Sequence, residues 1–217
     1  MARGRLIVLE GPEGVGKSTQ HRLLADHLTA RGHDVVALRE PGGTPAGDAI
    51  RALLLDPASD IAPEAEALLY MASRAQLVKT AVTPSLARGA TVLLDRFFLA
   101  TYAYQGAGRG IPTEELADVN RMATGELVPD LTLLLALPVK EGLARAARRG
   151  GHDRMERADL AFHERVAGAF TTFADPKWQA GHPECGPIVL VDASGTEREV
   201  LDRLLATLRG RWPESFA

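Results

Sequence analysis

Residues 6–20 read LIVLEGPEGVGKSTQ: four apolar residues run into a glycine-rich turn that closes on Lys17, Ser18 and Thr19. Within it, Gly11-Pro12-Glu13-Gly14-Val15-Gly16-Lys17-Ser18 fits GxxxxGK followed by Ser or Thr. In that pattern the glycines let backbone N–H groups converge on phosphate oxygens, and the N-terminus of the next helix adds positive potential. The lysine reaches the β and γ phosphates and the hydroxyl ligates magnesium. A strand before the turn and a helix after it are the context the pattern requires, and residues 11–19 are expected to cradle a nucleoside triphosphate. The turn leaves the acceptor open, because switch GTPases, motor ATPases and small-molecule kinases all use it.

The rest of the chain continues the strand-then-helix rhythm. LIVL (6–9), VVAL (35–38), TVLLD (91–95), LTLLLAL (131–137) and IVLVD (188–192) are continuous apolar runs. Strands covered by helices on both faces read this way, which predicts a parallel sheet. Helical patterns are expected at about 17–31, 45–55, 64–87, 113–124, 139–149, 158–180 and 196–210. The fold class that follows is α/β, a doubly wound five-stranded parallel sheet flanked by helices. No repeat, low-complexity tract or Pro/Ser linker divides residues 1–217, so they are read as one domain.

Composition narrows the partners. A net charge of −3 gives no general basic footprint for nucleic acid, so any polyanion must be met by local arginines. Cys185 is the single cysteine, which suits a reducing cytosol and reads as a small buried residue. The longest nearly apolar run, 131–139, contains Pro138 and is far short of the ~20 residues that span a bilayer. The chain is therefore read as cytoplasmic.

Beyond the turn, Asp95 ends the third apolar run, where a carboxylate can hold magnesium, and Arg96 follows it at the crevice above the strand ends. Arg39 after the second run and Arg74 in YMASRAQ are expected at the same crevice, where guanidinium forks suit phosphate and flat hydrogen-bonding edges.

EGPEGVGKST, REPGGT, MASRAQLV, DRFFLATYAYQGAGRG, PDLTLLL and RRGGHDRME, in this order and spacing, resemble the thymidylate (dTMP) kinase family across nearly the whole chain. The resemblance implies the P-loop nucleoside monophosphate kinase fold, ATP as donor, Mg2+ as its partner and dTMP as acceptor. It implies that Arg39 and Arg96 grip the dTMP phosphate, that Tyr70 stacks on thymine and that Arg74 hydrogen-bonds its O4. Thr101 and Gln105 would sit near the base, Tyr104 against the sugar's 2′ carbon and Glu13 at the 3′-hydroxyl. Phe97, Ala100 and Phe170 depart from the Tyr, Ser and Tyr common in the family at these places. Bulk and ring stacking survive those changes, with polar contacts rearranged.

The basic stretch around Arg145, Arg148, Arg149, Gly150, Gly151 and Arg154 suits a closing lid at about 144–157. In the family such a lid accompanies a P-loop without an arginine, as here. Arg149 and Arg154 would then act on the transferring phosphoryl group together with Lys17 and Arg96, and Arg145 would pack near the adenine. The attacking phosphate monoester has a second pKa of about 6, so no general base is required. A deoxynucleoside kinase would need a carboxylate base where Arg39 stands, and a GTP switch would need an Asn/Thr-Lys-x-Asp motif that the chain lacks. The family also implies a homodimer built on helix faces around 45–55 and 64–87. Glu40-Pro41 is a candidate cis peptide in the turn after Arg39.

Overall fold

A computed structural model describes residues 3–138, 141–142, 144–145, 154–155 and 158–216. The five apolar runs become β1 (Leu6–Glu10), β2 (Val35–Arg39), β3 (Thr91–Asp95), β4 (Leu131–Ala136) and β5 (Ile188–Asp192). All pair in parallel in the order β2-β3-β1-β4-β5, as the unbroken apolar runs anticipate. The helices among the described residues are α1 (Lys17–Ala30), α2 (Pro45–Leu55), α3 (Pro63–Leu77), α4 (Thr83–Ala87) and α5 (Phe98–Thr101). They continue with α6 (Thr113–Thr124), α7 (Leu160–Thr172), α8 (Pro176–Ala180), α9 (Glu197–Arg211) and α10 (Pro213–Phe216).

Strand alternation divides the core in two. Leu6 and Val8 of β1 join Val92, Leu94, Leu77 and Leu116 on one side of the sheet. Ile7 and Leu9 join Leu93, Leu24 and Leu28 of α1 and Leu204 and Leu208 of α9 on the other. Every residue of β1 is buried, so the strand has no solvent face and its C-terminal end is fixed from both sides. The P-loop leaves from that fixed end.

Several helices start where capping chemistry allows. Thr44 accepts a hydrogen bond from the Gly47 amide ahead of Pro45, and Thr196 and Glu199 form a reciprocal capping box that opens α9. The expected helix over 64–87 runs without a break from Pro63 to Ala87, but α3 and α4 are joined through a wider π-helical turn at Val78–Val82. Pro84 lacks an N–H and its ring crowds the carbonyl four residues earlier, which the wider turn relieves. The expected helix over 158–180 divides, because Pro176 begins a new helix under an Asp175 cap. Residues 98–108, which the sequence pattern leaves unassigned, are helical, with a π-helical segment at Tyr102–Gly108. Most of the expected helix at 139–149 lies outside the described residues. Among the described residues no helix is long and apolar enough to cross a membrane.

Candidate active site

The parallel register aligns three strand ends. Leu9 pairs with Asp95 and Asp95 with Arg39, which brings the P-loop, Asp95-Arg96 and Arg39 to one edge of the sheet. Gly11 has φ 142°, and a side chain there would meet the Leu135 carbonyl oxygen at 2.5 Å. Gly16 has φ 91° and precedes α1 with no side-chain cap, and the position a Cβ would take there faces open space. The first N–H groups of α1 therefore point out of the loop uncapped, as an anion site needs.

Lys17 is bent over the loop. Its Nζ donates to the carbonyls of Gly11 and Pro12, each at 2.8 Å. Burial, reinforced by the neighbouring Arg96, brings its pKa down to about 7 against the pull of Asp95, Glu10 and Glu13. Beside it, Ser18 Oγ donates to Asp95 Oδ2 at 2.9 Å, while Asp95 Oδ1 is buried with no partner.

Arg96 turns the chain out of β3 with φ 71°, and its amide donates to the Leu9 carbonyl at 3.0 Å. Its Nη2 donates to the Tyr104 hydroxyl at 3.3 Å, and the guanidinium lies 4.9 Å from the centre of that ring. Nη1 is buried without a partner. Burial alone would lower the Arg96 pKa, but Tyr104 and the carboxylates Asp95, Glu10 and Glu13 outweigh it, so the group stays charged. Tyr104 in turn donates to Glu13 Oε1 at 3.2 Å, and its own pKa is raised, chiefly by burial. The phenol thus connects the P-loop to the arginine that follows β3.

Glu10, the last residue of β1, fixes this turn. One of its carboxylate oxygens accepts from the amides of Phe97 at 2.7 Å and Ala100 at 3.1 Å. It is fully buried, and desolvation raises its pKa despite Arg96, the two amides and Lys17.

Arg74 of α3 is 2% exposed and fully engaged. It donates to Glu40 Oε2 at 2.7 Å, Thr101 Oγ1 at 3.0 Å and the Phe97 carbonyl at 2.8 Å, and also bonds Asn120 Oδ1. The Phe97 ring lies under it at 4.8 Å. Glu40 is buried too, and desolvation raises its pKa although Arg74 opposes the shift. The Glu40–Pro41 bond between this carboxylate and the following turn is cis, as the sequence suggests.

These groups surround one cavity of about 250 Å³. From the P-loop it is lined by Glu13, Gly14, Gly16, Lys17 and Ser18, and from the strand ends by Arg39, Asp95 and Arg96. Tyr70, Arg74, Thr101, Tyr104 and Gln105 form the rest of the wall together with Glu40, Pro41, Arg51, Leu55, Ala100 and Met155. Most of the expected site residues therefore converge. Gly11, Pro12, Val15 and Thr19 shape the loop without lining the cavity, and Phe170 packs edge-on against Tyr104 with ring centres 6.4 Å apart.

The arginines of the expected lid part company. Arg149 and Arg148 lie outside the described residues. Arg145 pairs with Glu141 at 2.6 Å on the surface. Arg154 does not line the cavity: its Nη2 donates to Glu66 Oε2 at 2.6 Å and its Nε to the Leu54 carbonyl at 2.8 Å. A guanidinium held by a buried carboxylate is an anchor in this arrangement, in contrast to the phosphoryl-facing arginine expected at that position.

The sequence reading missed the acids Glu10 and Glu66 behind the site, and Glu40, Arg51 and Met155, which line the cavity. One signal was available. Glu66, Tyr70, Ser73, Arg74 and Leu77 recur at helical spacing, and all but the half-buried Tyr70 are buried, so the polar stripe of α3 faces inward.

A GxxxxGK turn on a central parallel strand, opening into a cavity shared with arginines at two neighbouring strand ends, defines a P-loop kinase of the nucleoside monophosphate class. Residues 9–181 match the family model described as thymidylate kinase. The thymidylate kinase of Deinococcus radiodurans is 47% identical over 211 residues, covering 97% of this chain and 99% of that protein. That of Ectopseudomonas mendocina is 52% identical over 168 residues, covering 77% and 80% respectively. The chain belongs to the thymidylate kinase family.

Proposed function

We infer that this protein transfers the γ-phosphoryl group of ATP to the 5′-phosphate of dTMP, giving dTDP and ADP. The observation that carries the reading is the single cavity that joins Lys17 and Ser18 to Arg39, Arg96 and a wall of Tyr70, Arg74 and Gln105. An anionic acceptor needs charge compensation and no base, and the cavity supplies cations at the strand ends.

In this mechanism the P-loop amides and the α1 N-terminus bind the donor phosphates. Lys17 exchanges its two carbonyl partners for phosphate oxygens, which restores its charge in the presence of a polyanion. Arg96, with Nη1 uncommitted, and Arg39, with no side-chain partner among the described residues, hold the acceptor phosphate against repulsion from the donor. Tyr104, fixed between Arg96 and Glu13, stands where a 2′-hydroxyl would clash, and Glu13 receives the 3′-hydroxyl. Tyr70 stacks on the base. A base oxygen that reaches Arg74 shares a donor with Thr101 or Asn120. In this reading Arg149 is assigned to the transferring group, and Arg154, held by Glu66, anchors the C-terminal end of the lid.

Mg2+ fits the residues present. The Ser18 hydroxyl lies against Asp95, whose second oxygen is buried and unpaired, an arrangement that a hard cation with oxygen ligands would satisfy. Among the described residues no cluster of three or more His, Cys, Asp or Glu could hold a metal by itself, so phosphate oxygens and water would complete its shell. When bound, the cation neutralises charge on the donor's β and γ phosphates.

The same reading takes residues 1–217 as one cytoplasmic kinase domain with a lid at about 144–157, working as a homodimer. The exposed Leu53 of α2 and Leu68 of α3 lie on the faces proposed for that dimer. Steady-state assays with ATP and, separately, dTMP, dUMP, dCMP and thymidine, with GTP hydrolysis as a control, test the reading. The expected order is dTMP, then dUMP by a modest factor, then dCMP by a large one. A missing methyl is worth only about 1–3 kcal/mol, whereas a mismatched polar edge leaves buried donors unpaired. Preference for thymidine over dTMP, or GTP hydrolysis without an acceptor, would replace this reading.

A further inference from the structure

Gln105 and Arg154, one on the base-facing wall and the other at the end of the lid, meet at a single buried carboxylate. Glu66 of α3 is 0% exposed. Its Oε1 accepts from Gln105 Nε2 at 2.9 Å and from Arg109 Nε at 3.3 Å. Its Oε2 accepts from Arg109 Nη2 at 3.1 Å and from Arg154 Nη2 at 2.6 Å. Burial works to raise its pKa, but the bonds from Gln105, Arg109 and Arg154 prevail and hold it below the usual carboxylate range. Glu66 is therefore ionised, and an ionised carboxylate can only accept.

That restriction reaches the cavity. Gln105 must turn its NH2 toward Glu66, which leaves its carbonyl oxygen on the side of the cavity it lines. We propose that Glu66 is a positioning residue for nucleobase recognition: it locks the Gln105 amide with the oxygen toward the acceptor base and couples that orientation to the Arg154 anchor. The proposal rests on the functional reading above. A carbonyl oxygen at this place favours a pyrimidine whose N3 carries a hydrogen, thymine or uracil, and disfavours cytosine, whose N3 is an acceptor. With the amide reversed, the preference inverts. Discrimination is then built from a part carried by Arg74 and a second part that Glu66 sets through Gln105.

A merely structural Glu66 would affect all substrates alike, so the test reads a ratio. The full-length protein and its Glu66→Gln and Glu66→Asp variants are assayed with ATP for kcat/KM on dTMP and on dCMP. A neutral amide at 66 donates as well as accepts, so Gln105 is free to turn over. The dTMP:dCMP preference is expected to narrow by about tenfold or more, with the loss on dTMP falling in KM more than in kcat. Glu66→Asp keeps the charge for Arg109 and Arg154 but withdraws it from Gln105. It should narrow the preference while retaining most of the thermal stability, and it decides the matter if Glu66→Gln does not fold. In a Gln105→Leu background, Glu66→Gln should narrow the preference no further. An unchanged ratio, or a parallel loss on both nucleotides, in a folded Glu66 variant overturns the proposal. If the wild-type protein phosphorylates neither nucleotide, the functional reading fails and this inference falls with it; an active wild type with an unaltered ratio in the variants sinks this inference alone.

Discussion

The P-loop is a run of consecutive residues shaped by glycine backbone, whereas the proposed acceptor side gathers residues from β2, β3, α3 and the 98–108 segment. Buried acids fix those from α3 and the turn after β3, while Arg39 of β2 stays unpaired among the described residues. On the donor side the ionic groups are loosely spoken for: Lys17 rests on two carbonyls and Asp95 keeps a free oxygen. On the acceptor side, Glu40 clamps Arg74, Glu66 clamps Gln105 and Arg154, and Glu10 clamps the turn carrying Arg96. A phosphate chain can be received by a flexible cradle that it completes itself. A flat base must be read by groups that hold their orientation before it arrives, and anchored side chains do that.

Lys17→Ala should break this contrast most visibly. Its Nζ bonds only loop carbonyls, so the fold survives by circular dichroism, while kcat falls by about 10³-fold or more with the loss of the P-loop cation. Retention of more than about a tenth of the wild-type rate would contradict the donor-side assignment.

Arg74→Leu is the acceptor-side counterpart, and its damage should be structural. It strands Glu40 as an uncompensated buried charge, for which about 3–5 kcal/mol of lost stability is expected in urea unfolding. The dTMP:dCMP preference should narrow in whatever protein remains folded. Replacing Glu40 and Arg74 together by apolar residues should recover much of the stability; no recovery would mean that the pair is not what Arg74 protects.

Arg149→Ala should lower the phosphoryl-transfer rate by about 10²-fold or more in pre-steady-state measurement, leaving dTMP affinity and Tm nearly unchanged. Arg154→Ala, which removes the Glu66 partner, should instead weaken dTMP binding and lower Tm. Exchange of these two profiles would reverse the division of labour between the lid arginines.

The pH dependence sharpens the donor side alone. Because Lys17 has its pKa lowered to about 7 from 10.5, the folded protein binds fewer protons than the unfolded chain between those values. Its contribution to stability therefore rises with pH across that window, and the cost of the buried charge is fully present below it. Activity runs the other way: kcat/KM for ATP should fall above about pH 7 as free Lys17 loses its proton. The limiting slope is about tenfold per pH unit, and kcat is flatter because bound phosphates keep the ammonium charged. A flat kcat/KM profile, or one that persists in Lys17→Arg, would assign the titration elsewhere.

The smallest effect is expected for Arg145→Ala. Its pair with Glu141 joins side chains 35% and 45% exposed, and an exposed i,i+4 pair is worth about 0.3–0.5 kcal/mol. A shift in ATP KM beyond that scale would support the adenine contact.

The strands, the P-loop and the strand-end arginines Arg39 and Arg96 were legible in the sequence because each depends on local pattern: continuous apolar runs, glycine spacing and charge beside strand ends. Helix 98–108 was not, since FLATYAYQGAG is buried on nearly all sides and shows no polar face from which a period could be read. Glu66 and Glu40 look like surface charges until the third dimension supplies Arg109, Arg154 and Arg74. Glu10 left a faint trace as an acid closing an otherwise apolar strand.

That acid bears on how far the family's sequence can drift. Glu10 holds the turn after Arg96 through the main-chain amides of Phe97 and Ala100, two of the positions at which the family resemblance leads one to expect a hydroxyl. A clamp on backbone N–H groups is indifferent to what hangs from the α-carbons, proline excepted. The side chains at 97 and 100 can therefore change without moving the arginine, whereas loss of the carboxylate at position 10 would leave both amides without their acceptor. Tolerance at two side chains of the visible motif is set by a residue behind it that does not line the cavity.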